Sequence, residues 1–128
     1  VENYESDGKD FTESKEYITN TRETLEECKA KYTEFLTEEK AMSYINDKGL
    51  DSYYIDLYKN EFIGDMSSAS QDTTVQNSID EVITILNTSE EVLNLLSENQ
   101  NSWEIDGENI SFNSESLSNQ YDELVKSL

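Results

Sequence analysis

The sequence contains no histidine, no proline and a single cysteine among its 128 residues. Without histidine there is no imidazole base, no Ser-His pair and no His-ligated metal. One thiol can neither close an internal disulfide nor build a zinc site. Basic residues are scarce as well: nine Lys and Arg stand against 29 Asp and Glu, a net charge of −20. No apolar run approaches the ~20 residues needed to span a bilayer. These absences remove most catalytic chemistries and point to a chain that is not an enzyme and uses no cofactor or metal.

The length is that of one domain. Hydrophobic content of 34% with 30% charged residues leans toward disorder. The apolar residues nevertheless recur at helical spacing over long stretches, so a folded, surface-rich, elongated domain is expected over residues 11–128. Residues 1–10 are polar and contain Gly8, as a flexible tether would. The chain opens with Val1, so a missing leader is no evidence against secretion.

Acidity is uneven. Residues 1–50 hold 13 acids and seven bases, whereas residues 51–128 hold 16 acids and only Lys59 and Lys126. Such a field repels phosphates and anionic headgroups, which disfavours direct nucleic-acid binding and contact with a membrane surface. It attracts basic proteins or cations. Solubility accounts for the same charge, and halophilic adaptation is a further option, although frequent Asn, Ser, Ile and Tyr fit the usage of an AT-rich genome.

Phe11, Ile18, Leu25 and Tyr32 fall seven apart, and Cys28, Phe35 and Met42 form a second such row. With Thr12 as cap and Asp47-Lys48-Gly49 as stop, the spacing predicts a helix over 12–47. Asp51 caps the next segment, read either as one helix over 51–87 with a weak middle or as two joined near Gln71–Thr73. Thr88-Ser-Glu-Glu91 fits a capping box opening a short helix. Trp103-Glu-Ile105 and Ile110-Ser-Phe112 then alternate apolar and polar around Asp106-Gly107-Glu108-Asn109, the pattern of a β-hairpin. Asn113 or Ser114 caps a last helix. The parts predict an all-α class: an antiparallel three-layer bundle of long helices with a small hairpin near the C-terminus. Leu25, Phe35, Phe62, Ile79, Val82, Leu86, Leu93 and Trp103 are its expected core.

Few residues suggest chemistry. Cys28 reads as a small core hydrophobe, with intermolecular disulfide formation as the lesser option. Glu104, Asp106, Glu108 and Glu115 have partial calcium-loop spacing, but Asn109 stands where glycine is needed and a solvated hairpin edge explains them. Paired acids such as Glu26-Glu27 point about 100° apart on a helix and do not converge. The two matches to the N-glycosylation pattern, at Asn87 and Asn109, are what chance provides in so Ser- and Thr-rich a chain. Tyr44, Tyr53, Tyr54 and Tyr58 crowd the turn around Gly49. Tyrosine joins apolar area to a hydrogen-bonding tip, so this cluster is the candidate partner-binding surface, although such residues also cap the end of a bundle core.

The stretch Asn101-Ser-Trp103-Glu-Ile-Asp-Gly107-Glu-Asn-Ile-Ser-Phe112, followed by a helix with Tyr121, resembles the ends of helical ectodomains of small surface lipoproteins from Gram-positive bacteria and some archaea. The lipid-bearing cysteine of such proteins is absent here. The resemblance implies an exported protein, extracellular or at the cell surface, lipid-anchored through a removed N-terminal segment. It transfers no catalytic residue. The leading expectation is therefore a non-enzymatic, tethered acidic ectodomain acting through protein contacts. The alternative is an acidic inhibitor or DNA mimic that occupies the basic groove of a nucleic-acid enzyme.

Overall fold

In the computed structural model, which describes residues 2–128, helix accounts for 72% of the chain and one two-stranded antiparallel hairpin supplies the β-structure. The chain is mostly α with a β-hairpin near its C-terminus, as the periodicity predicts. The helices are α1 (Glu2–Asp7), α2 (Thr12–Phe35), α3 (Glu38–Ser43), α4 (Ser52–Leu57), α5 (Gly64–Ala69), α6 (Thr74–Glu98) and α7 (Glu115–Ser127). A π-helical turn, Tyr58–Ile63, joins α4 directly to α5, and the strands are β1 (Trp103–Asp106) and β2 (Asn109–Phe112). Contacts group the chain into two units: the N-terminal residues through Glu23 with Glu81–Leu128, and Thr24–Asp80.

The first unit is organised on Trp103, which is only 2% exposed. It shares a core with Phe11 and Leu96, against which Tyr4, Val92, Leu93 and Tyr121 pack. Its indole N–H donates to the Leu96 carbonyl at 2.7 Å, so the one polar atom of this buried ring is satisfied. The hairpin register pairs Trp103 with Phe112 and Ile105 with Ile110, which puts all four apolar side chains on one face. Gly107 has φ +63° and Glu108 does not share it. That sign pattern is the type II′ turn, whose twist suits a two-residue hairpin.

Residues 2–10, read from the sequence as part of a flexible tether, pack onto this unit, while Val1 lies outside the described residues. Tyr4 meets the Trp103 ring edge-on at 5.7 Å. Lys9 Nζ lies 4.6 Å from the Trp103 ring centroid and donates to the carbonyls of Gln100 and Trp103. Asp7 accepts the backbone N–H groups of Glu13 and Ser14 at 2.9 and 2.8 Å, capping α2 in place of the expected Thr12. To make that loop Phe11 takes φ +52°, an unusual conformation for a side-chain-bearing residue that its near-complete burial holds in place.

In the second unit, α2 ends at Phe35 rather than near residue 47. Thr37 accepts the Lys40 N–H at 3.2 Å and starts α3 with Glu38 and Glu39 in its first turn, favourable charges at a helix N-terminus. Asp51 caps α4 through the Tyr53 N–H, as expected. The break before α6 falls at residues 70–73, where Asp72 accepts the Thr74 N–H at 2.9 Å. Two helical segments, not one, therefore cover 51–87. The second of these, α6, runs through the expected cap at Thr88, whose hydroxyl donates back to the Thr84 carbonyl at 3.2 Å. Ser114 is the cap of α7.

The expected core is largely corrected. Of its eight residues Trp103 is buried, Leu25, Ile79, Leu86 and Leu93 are partly buried, and Phe35, Phe62 and Val82 are exposed. Cys28 is exposed as well. The covered face of α2 carries buried Ile18 and partly buried Arg22, Leu25, Lys29 and Tyr32, and Leu36 continues it just past the helix end. Cys28 and Phe35 lie roughly 80–100° around the helix from its centre at Ile18. The second seven-residue row on the covered face is thus basic rather than apolar. In the first unit Lys15 Nζ donates to Ser97 Oγ, and Arg22 holds Glu90 at 2.9 Å and Asn87, all three on α6. In the second unit Lys29 holds Asp80 of α6 at 2.6 Å.

Candidate functional site

The π-helical turn shapes the most distinctive surface of the second unit. Four residues apart on this turn, Tyr58 and Phe62 stack with ring centroids 5.0 Å apart and planes at 17°. The Tyr58 hydroxyl donates to the Ala41 carbonyl at 3.1 Å, which ties the turn to α3 and fixes its ring. Ala41, Ile63 and Met66 form the small core beneath, flanked by Leu36 and Met42. On the other side Phe35, the last residue of α2, meets Tyr44 at 6.5 Å and 57°. Together Phe35, Ala41, Tyr44, Tyr58, Phe62 and Met66 line a pocket of about 140 Å³. About half of the surface of Phe35, Tyr44 and Phe62 remains exposed.

The structure thus brings two of the four tyrosines together. Tyr44 and Tyr58 share this pocket, whereas Tyr53 and Tyr54 pair with each other at 5.4 Å and are 66% and 59% exposed. Phe35, Phe62 and Met66 were missed as site residues because their helical spacing assigns them to a core. The signal available was Phe35 and Thr37 together: a helix that stops at 35 leaves its last aromatic without a covering turn.

A second, more polar cleft of about 340 Å³ lies in the same unit, lined by Leu36, Ile63 and Met66 together with Thr33, Thr37, Ser67 and Ser70. Gln76 also lines it, and its enclosed Oε1 has no hydrogen-bond partner among the described residues. Met66 borders both spaces.

The remaining candidates stay apart. Glu104 and Asp106 lie on β1, Glu108 in its turn and Glu115 at the start of α7. Among the described residues no group of three or more carboxylates or thiols is placed to hold a metal ion. No described helix is long and apolar enough to cross a membrane. Perturbed ionisations are structural. Burial would raise the Asp7 pKa, but the N–H groups of Ser14 and Glu13 outweigh it and hold this carboxyl below its usual range. The Thr74 hydroxyl and N–H do the same for Asp72. Burial, with the Asp122 charge as a lesser cause, raises the Tyr121 phenol. No family model matches the chain, and no curated protein or solved structure resembles it.

Proposed function

We propose that this chain is a non-enzymatic, exported and tethered acidic helical ectodomain that acts through protein contacts, with the aromatic pocket as its contact surface. The observation that carries the reading is the exposure of paired aromatic rings around a pocket in a chain otherwise rich in charge. Exposed Tyr and Phe gathered round a concavity are the usual anchors of protein interfaces, whereas singly exposed apolar residues need no explanation. Export and tethering rest on the resemblance of the Trp103–Tyr121 region to lipoprotein ectodomains alone. The acidic-inhibitor reading is less favoured, since Asp80 and Glu90, two of the α6 carboxylates, are already held by Lys29 and Arg22.

Two experiments test the two halves of the proposal. A membrane-impermeant maleimide applied to intact source cells should label the exposed Cys28; labelling only after lysis would contradict export. A photo-crosslinking amino acid at Tyr44, on the pocket lining, should capture a protein, while the same group at Glu108 should not. Capture of a nucleic-acid enzyme from the Glu108 position alone would reverse the choice in favour of the inhibitor.

A further inference from the structure

The chemistry of the pocket narrows what enters it, given the protein-contact reading on which this inference rests. Two aromatic pairs, Phe35 with Tyr44 and Tyr58 with Phe62, contribute to one lining. Aromatic faces carry negative quadrupole charge and hold cations as well as apolar groups. The charges beside them in sequence favour a cation. Lys40 and Lys59, which neighbour Ala41 and Tyr58, are paired with Glu34 at 3.4 Å and Glu38 at 3.6 Å. Glu39, Asp47, Glu61 and Asp65 make no ion pair among the described residues, and against these four acids stands one unpaired base, Lys48. The segments that supply the pocket walls therefore carry an uncompensated negative charge, within a chain of net charge −20. The volume of about 140 Å³ suits one compact group, since a cavity of roughly 150 Å³ accommodates a benzene ring.

We infer that this pocket is an aromatic cage for an organic cation, presented as the arginine or lysine side chain of a basic segment of a protein partner. The aliphatic stem packs on Met66 and Ala41, and the charged end faces the rings. A neutral side chain of equal bulk would gain the apolar contact but not the attraction to ring faces and carboxylates.

Tetramethylammonium and tert-butanol, of similar shape and different charge, separate these contributions when titrated into the full chain in 150 mM NaCl. Aromatic ¹³C resonances of Phe35, Tyr44, Tyr58 and Phe62 report the site. The cation should shift them saturably, and tert-butanol should require at least about tenfold higher concentration for the same occupancy. Tyr44→Leu, which keeps apolar bulk and removes a ring, should weaken the cation at least fivefold and leave tert-butanol little changed. Phe62→Leu is the second variant should the first fail to fold by circular dichroism. A short arginine-bearing peptide should bind more tightly than its citrulline counterpart, and that preference should disappear in the same variant.

Equal binding of the two small probes would overturn the cage, as would cation shifts that fail to saturate and spread along the acidic helices. Tetramethylammonium binding without any preference for arginine over citrulline would overturn the protein side chain as the occupant and identify a free quaternary ammonium instead. Failure here with capture at Tyr44 intact leaves the protein-contact reading standing. Cation binding without capture would instead remove that reading and keep the cage.

Discussion

Asp7 shows how a single carboxylate joins a terminal helix to the fold. Its two oxygens take the first free N–H groups of α2, at 2.9 and 2.8 Å, across the loop that Phe11 anchors. Because its pKa in the folded protein is depressed, its stabilisation is complete above the ordinary carboxylate value of 3.8 and is lost as the pH falls through the folded value. Asp7→Ala should therefore lower the melting temperature at pH 7, and the difference from the parent should close below about pH 3.8. Tyr121 has the opposite sign. Its raised pKa keeps the phenol neutral in the fold, so its contribution is complete below pH 10.0 and lost as the pH rises through the folded value. Tyr121→Phe should preserve the packing on Phe112, whose ring is 5.2 Å away, and reduce alkaline destabilisation in thermal melts at pH 9 to 11. Neither role was legible in the sequence, since an acid five residues before a helix and a tyrosine inside one look like ordinary surface and core.

At the scale of elements, legibility follows how completely a signal specifies its partner. The hairpin was fully readable: alternation fixes which face is apolar, and Asp106-Gly107 fixes the reversal, so the register Trp103 to Phe112 follows. The joint before α6 was one of two readings that its polar residues allowed, and the caps at Asp51 and at Asn113 or Ser114 were readable from their side chains. The covered face of α2 was not. Hydrophobic periodicity treats Lys and Arg as outward markers, yet Lys15, Arg22 and Lys29 also fall seven apart and are each partly buried. In a chain with nine bases, this regular spacing was the available clue. Side chains of Arg22 and Glu90 are only 24% and 27% exposed. Arg22→Ala should thus cost about 1–3 kcal/mol by chemical denaturation. Lys31→Ala, which breaks a pair that is mostly in water, should cost under about 0.5 kcal/mol.

For the whole molecule the net charge of −20 is an electrostatic term against folding, added to the conformational entropy that every chain must overcome. Five ion pairs among the described residues engage only a few of the 29 acids, and the remainder repel one another. Raising sodium chloride from about 10 mM to 150 mM shortens the screening length from roughly 30 Å to 8 Å. The melting temperature should rise over that range, because repulsion among exposed acids is screened more than the partly buried pairs of Arg22 and Lys29. A flat or falling value would show that the ion pairs dominate. The same charge makes the chain look like a polyanion, whereas the proposed recognition depends on one aromatic pocket in the second unit.

The measurement that tests this most directly is the affinity of the partner captured at Tyr44 for two sets of variants. One set is Tyr44→Ala, Tyr53→Ala and Tyr54→Ala; the other reverses Glu81, Glu91 and Glu98, exposed acids outside the ion pairs. Central aromatic anchors typically contribute about 2 kcal/mol or more, while exposed charges contribute under about 1 kcal/mol. Tyr44→Ala, on the pocket lining, should weaken binding about thirtyfold, with the charge reversals staying within about fivefold. Binding that collapses on charge reversal and persists without the tyrosines would contradict the account.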